Sequence, residues 1–155
     1  MDKPDASLRS FLGYDLKRAF AVIQSDVNAV LQPFGLRMVT FSVLVIICDN
    51  PRLRQTQLAE ILLIERPNLV AILDELERAG AVVRVRAPDD RRAHELSATL
   101  QGQQTCDRAL EAVRDHDARM TNGLDKNQRE ALHTALRVVQ SNGRSVDDRR
   151  KIPRS

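Results

Sequence analysis

Just past Gly80 the spacing of apolar residues switches from a helical to a strand period, and this switch limits the fold more than any other feature. Before it, Thr56-Gln57-Leu58-Ala59-Glu60-Ile61-Leu62 reads as a short amphipathic helix capped by Gln55 or Thr56. After the link Leu63-Ile64-Glu65, a second helix is expected from about Arg66 to Arg78, with Leu69, Ile72, Leu73 and Leu76 as its inner stripe. Pro67 falls in the first turn, where a missing N–H costs nothing, and Gly80 supplies a left-handed stop. Beyond it Val83 and Val85 alternate with Arg84 and Arg86, a strand with one basic face. Pro88-Asp89-Asp90 marks a turn, and His94-Glu95-Leu96-Ser97-Ala98 the returning segment. Two short helices followed by a basic hairpin is the element order of a winged helix-turn-helix.

Helical patterns flank this unit. Leu8, Phe11, Leu12, Leu16, Ala19, Phe20, Ile23, Val27, Val30 and Leu31 mark one long helix ended by Pro33 and Gly35. A small core cannot cover all of it, so part is expected to pack on a partner. Met38 to Cys48 is apolar on nearly every face; period cannot separate buried helix from buried strand there, and length favours helix. Leu100, Cys106, Leu110, Val113 and Met120 mark another helix, broken at Asn122-Gly123. Asp125 and Gln128 then form a capping pair for a last helix carrying Ala131, Leu132, Ala135, Leu136 and Val139. The expected class is mainly α: a winged helix-turn-helix (35–98) between long dimerisation helices (1–34 and 99–142), with a small β-hairpin wing and a disordered basic tail (143–155).

Composition agrees. Apolar residues make up 43% of the 155, enough for a core, while aromatics reach only 3% with no Trp. Leu, Val, Ile and Ala must therefore build core and interface. The net charge is +3, and the cations are nearly all Arg, with Lys only at Lys3, Lys17, Lys126 and Lys151. Arg presents a planar fork suited to phosphate oxygens and guanine edges. Met1 to Ser10 lacks the apolar core and cleavage pattern of a signal peptide, and the longest apolar run, Val43 to Cys48, is too short to span a bilayer. Two cysteines make no disulfide framework. A cytoplasmic protein without a membrane partner is expected.

In a helix-turn-helix the second helix enters the major groove and its first residues meet base edges. Here those are Arg66, Pro67, Asn68 and Ala71, with Arg66 suited to guanine and Asn68 to adenine. The bland alternative is a solvated helix start. Between Arg84 and Arg92 lie four Arg and two Asp, a composition suited to a wing along the minor groove. Asp90, Arg91 and Arg92 form its tip, where Asp90 is placed to accept hydrogen bonds from the Arg92 guanidinium; the competing reading is a hairpin charged only to guard an edge strand. Arg54, Gln55, Thr56, Gln57, Arg84, Arg86 and Arg91 are expected to reach phosphates.

These residues resemble the MarR family of bacterial regulators. The resemblance rests on Gln57-Leu58-Ala59, Leu76-Glu77-Arg78-Ala79-Gly80, Arg86-Ala87-Pro88-Asp89-Asp90-Arg91-Arg92-Ala93 and Leu96-Ser97-Ala98-Thr99-Leu100-Gln101-Gly102. The Asp-Arg-Arg-Ala wing followed by Thr-x-x-Gly is its most specific part. The resemblance implies a homodimer with intertwined terminal helices, repressing genes and releasing double-stranded DNA when a small molecule binds. By position it assigns base reading to Arg66, Pro67 and Asn68, and the paired wing residues to Asp90 and Arg92. Pro67, Asn68, Ala71 and Ala98 depart from the residues common at their positions, and the first three suggest an individual operator preference. The opening Phe11-Leu12-Gly13-Tyr14-Asp15-Leu16-Lys17-Arg18-Ala19 is similar to members that sense aromatic acids or their coenzyme A thioesters. That likeness suggests an effector pocket bounded by Phe11, Tyr14, Asp15, Arg18, Met38 and Phe41, against the alternative that these are dimer or core contacts.

Three other readings are weaker. Redox sensing through Cys106 or Cys48 needs an electropositive, partly exposed thiol. His94, His116 and His133 are scattered, without ligand spacing, so no metal or cofactor is expected. No phosphate loop or nucleophile motif points to an enzyme. A protein-interaction module that ignores DNA is the remaining alternative.

Overall fold

The computed structural model describes residues 4–150, of which 144–150 are described as backbone alone. The chain divides into two compact units, the first ending at Asp117 and the second beginning at Ala118. The first carries helices α1 (Leu12–Leu31), α2 (Met38–Asp49), α3 (Gln55–Leu62) and α4 (Arg66–Arg78), strands β1 (Leu53–Arg54), β2 (Val82–Arg86) and β3 (His94–Ala98), and most of α5 (Leu100–Met120). The second holds the end of α5 and α6 (Lys126–Arg150). Among the described residues no single helix is long and apolar enough to cross a membrane.

The core of the first unit is aliphatic. Leu31, Val43, Leu44, Ile47, Leu58, Leu69, Leu73, Leu76, Val82 and Leu96 are buried in one cluster, so α2 sits at its centre and α3, α4 and the sheet close around it. Within α2 only Asp49 is exposed, every other residue being buried or half-buried, which explains why the helix shows no polar face. Its start is satisfied by two side chains: Asn28 Oδ1 of α1 accepts the Met38 N–H at 2.7 Å, and Thr40 Oγ1 of α2 itself accepts the Arg37 N–H at 2.9 Å.

The sheet order is β1-β3-β2, antiparallel throughout, with Val82 opposite Ala98, Arg86 opposite His94 and Leu53 opposite Leu96. The alternation past Gly80 thus marks a true hairpin, while β1, two residues long, leaves no periodic trace. Gly80 adopts φ +70°, the left-handed stop expected of it, and the Ala81 N–H returns to the Leu76 carbonyl.

Two boundaries differ from the sequence reading. The N-terminal pattern does not form one helix: a 3-10 turn (Leu8–Ser10) precedes α1, and Phe11 between them is extended. Asp5 is bonded to residues on both sides of the break. Its carbonyl accepts the Leu8 and Arg9 N–H groups, and its carboxylate holds Arg9 Nε at 2.9 Å and Tyr14 Oη at 2.7 Å. Those contacts, with Tyr14 first and Arg9 second, hold the Asp5 carboxyl below its ordinary range. At the other end α6 runs to Arg150, past the Asn142 limit expected for it, because no proline intervenes before Pro153. The remainder of the expected tail, 151–155, lies outside the described residues. Asp125 and Gln128 do form the capping pair, each side chain accepting the other's N–H at 2.9 Å.

The α3–α4 link contains a strained residue. Leu63 has φ +53° and is 76% exposed. A non-glycine residue in the left-handed region costs roughly 1–2 kcal/mol, and glycine's greater unfolded-state entropy offsets about half of that. Leu63→Gly is therefore expected to stabilise by about 0.5–1 kcal/mol, since little packing is lost. In urea titration the midpoint should rise at constant slope; a lower midpoint would show that the exposed leucine contributes more than its backbone costs.

Candidate nucleic-acid interface

Helices α3 and α4 pack as a helix-turn-helix, and the β2–β3 hairpin follows directly. Arg66 and Pro67 open α4, and Arg66, Pro67, Asn68 and Ala71 are all exposed, on the side away from the buried Leu69, Ile72, Leu73 and Leu76. Three of them divide between two concavities, and Pro67 lines neither. Arg66 joins Arg54, Gln55, Thr56, Leu69, Arg92, Ala93 and His94 around a slot of about 170 Å³ where the helix-turn-helix meets the base of the wing. Asn68 and Ala71 line a broader groove of about 610 Å³ with Arg37, Val39, Leu63, Ile64, Glu65 and Ile72. The slot brings together three arginines that lie apart in sequence, Arg54, Arg66 and Arg92.

The wing tip is ordered by its own backbone. Asp90 Oδ1 accepts the Arg92 N–H at 2.9 Å, the Asp90 carbonyl accepts the Ala93 N–H, and the Ala93 carbonyl accepts the Ala87 N–H. The Asp90–Arg92 pair expected from sequence is thus realised through the main chain of Arg92 rather than its guanidinium. An Asx turn needs only that N–H, and it leaves the Arg91 and Arg92 side chains exposed. Arg86 is exposed beside His94 in the ladder.

Ion pairs sort the remaining arginines. Arg84, expected at a phosphate, instead points to α4: its guanidinium contacts Asp74 and lies 2.5 Å from Glu77, whose carboxylate also accepts the Arg84 N–H at 3.2 Å. Two carboxylates one helical turn apart match one guanidinium well, so Arg84 ties the wing to the back of α4. Arg54 pairs with Asp89 at 2.5 Å, and its N–H is held by Gln57 Oε1 at 3.0 Å, so Gln57 serves as a helix cap. Arg52, itself at φ +66°, holds the buried Glu95 at 2.9 Å. The sequence reading placed Asp89 in a turn and His94 in the returning strand, and named neither of them, nor Arg52, as a site residue. A two-residue β1 gave no signal that Arg52 and Arg54 would meet the hairpin.

The six residues suggested for an effector pocket do not jointly line any of the concavities described here. Tyr14 bonds to Asp5, and the Arg18 guanidinium sits 5.6 Å from the Tyr14 ring centroid and 3.6 Å from Asp5. Phe11 and Asp15 are exposed, whereas Met38 and Phe41 pack against the core.

Cys48 and Cys106, weighed separately from sequence, prove to be neighbours. Burial pushes both thiols up, Cys106 to about 12, and Cys106 is only 1% exposed. That is the reverse of the lowered-pKa setting a sensor thiol requires. His116 is buried, with Nδ1 2.7 Å from Asp26 Oδ2, a link between α5 and α1.

A helix-turn-helix continued by a basic three-stranded wing defines the winged helix-turn-helix class of proteins. Comparison narrows this. A model of the MarR family matches residues 34–93. The HTH-type transcriptional repressor Rv2887 of Mycobacterium tuberculosis is 32% identical over 130 residues, 84% of this chain and 94% of the relative. Among solved structures, the transcriptional repressor CouR bound to a 23-mer DNA duplex superposes with a TM-score of 0.85 at 39% identity, covering 90% of this chain and 99% of that one. CouR bound to p-coumaroyl-CoA gives 0.81 at 37% identity, covering 90% and 97%. The chain belongs to the MarR family.

Proposed function

We propose that this chain is a homodimeric, sequence-specific DNA-binding repressor of the cytoplasm, released from its operator by a small aromatic acid or its coenzyme A thioester. The observation that carries the reading is the slot lined by Arg54, Arg66 and Arg92, at the junction where a recognition helix and a wing straddle a phosphate backbone. Asn68 and Ala71 are the proposed base readers further along α4, with Arg66 and Pro67 at its start. Gln55, Thr56, Gln57, Arg86 and Arg91 are proposed to approach phosphates.

Dimerisation follows from uncovered apolar surface. Phe11, Leu12, Phe20, Val22 and Ile23 at and along α1, and Leu132, Val138 and Val139 on α6, are exposed in the single chain. Full burial of such side chains contributes roughly 1.5–3 kcal/mol each, a strong drive toward a second copy. The solved complexes of CouR, one with DNA and one with p-coumaroyl-CoA, support both the duplex and the thioester class of effector. The proposed effector site remains the region of Phe11, Tyr14, Asp15 and Arg18 with Met38 and Phe41 of α2.

The test is selection of bound duplexes from a random pool, followed by titration at several salt concentrations and then with aromatic acids and their thioesters. A pseudo-palindrome with half-sites about 10 base pairs apart is expected, with log K falling by about 0.9 per phosphate contacted as log salt rises. A monomer indifferent to duplex at low salt would end the proposal. Duplex binding that no acid or thioester alters would remove its effector part.

A further inference from the structure

We propose that Asp89 is an internal phosphate surrogate: it holds the guanidinium of Arg54 that a DNA backbone phosphate would otherwise claim, and so acts as a brake on duplex affinity. This rests on the DNA-binding reading above. Arg54 lines the same slot as the exposed Arg66 and Arg92, yet its Nη2 already lies 2.5 Å from Asp89 Oδ2. A phosphate entering the slot meets one guanidinium occupied by a carboxylate.

The geometry makes this exchange a local event. The Arg54 backbone is pinned by its ladder position opposite Glu95 and by the Gln57 cap, so changing partner requires only side-chain rotation. Asp89 stays ionised, because the hydrogen bond from Arg54, with a longer-range contribution from Arg52, holds its carboxyl below the ordinary range. The pair is also open to water, with side chains 38% and 67% exposed, and exposed pairs are weak enough to yield to a phosphate. The neighbouring pairs differ. Arg84 is held by two carboxylates on α4 and is largely covered, and Arg52 neutralises the buried Glu95, which would be left uncompensated. Of these three paired arginines, Arg54 alone can be surrendered at little cost.

Phosphate contacts carry no sequence information, so the brake should act equally on all duplexes. Asp89→Asn is expected to tighten binding to random and selected duplexes by the same factor, about threefold per protomer, the worth of one exposed charge pair. The plot of log K against log salt should steepen by up to about 0.9 per protomer, one phosphate's share. Arg54→Gln should weaken binding to both duplexes, and in that background Asp89→Asn should bring no gain, because the carboxylate acts through Arg54. Weaker or unchanged binding by Asp89→Asn overturns the inference. So does a gain that persists without Arg54, which would assign the effect to the general field of the wing. A parent protein that binds no duplex at all sinks the underlying reading before any variant is compared.

Discussion

Gly102→Ala is expected to cost about 3 kcal/mol or more, a large fraction of the stability of an ordinary domain. A Cβ built at residue 102 would lie 1.9 Å from the Ala81 carbonyl oxygen and 2.8 Å from its carbon. Both are backbone atoms, so no rotamer change relieves the contact. The neighbourhood cannot shift easily either. Thr99 Oγ1 donates to the Gly80 carbonyl at 2.6 Å and accepts the Gly102 N–H at 2.9 Å, while the Thr99 N–H is bonded to the Ala81 carbonyl at 3.0 Å. Thr99 caps α5 and pulls its first turn onto the chain leaving α4, and Gly102 is the gap that lets the two backbones touch. Urea unfolding of Gly102→Ala beside Gly143→Ala makes the comparison, because a Cβ at Gly143 meets nothing within 4 Å. Equal midpoints would mean that the α5–Ala81 approach is softer than this geometry requires.

The same motif shows what the sequence could and could not convey. Thr-x-x-Gly was readable as a pattern, and so were both helices of the helix-turn-helix, the hairpin and the α6 cap, because each is specified by residues within a few positions of one another. Leu69, Ile72, Leu73 and Leu76 mark their face of α4 by spacing alone, and all four are buried. Properties that depend on distant partners were not legible. Arg84 reads as a basic strand residue until α4 places Asp74 and Glu77 against it. Arg54 reads as a phosphate ligand until the wing brings Asp89 back to it. Cys48 and Cys106 look like two unrelated thiols until α2 and α5 set them side by side. Charge type is written locally, but the partner that neutralises a charge is decided by the fold.

Arg92→Ala is the substitution expected to weaken DNA binding most, by about 1–3 kcal/mol per wing and thus about 2–6 kcal/mol for a dimer with two wings. The Asx turn at the tip uses the Arg92 N–H, which alanine retains, and the Arg92 side chain is exposed. Wing conformation and unfolding midpoint should therefore match the parent, so that a loss of affinity reports the guanidinium itself. Arg92 also contrasts with Arg54 and Arg84, whose ion pairs within the chain mean that their removal mixes a binding effect with a structural one. The form of the loss identifies the contact. An arginine seated in a narrow minor groove gains from its enhanced negative potential, so the loss should be larger on A·T-rich flanks than on G·C-rich ones. A plain phosphate contact would instead weaken every duplex alike and flatten the salt dependence by about 0.9 per wing. Anisotropy titrations on two duplexes that differ only in the bases under the wing separate these outcomes, and affinity equal to the parent on both would place Arg92 outside the interface.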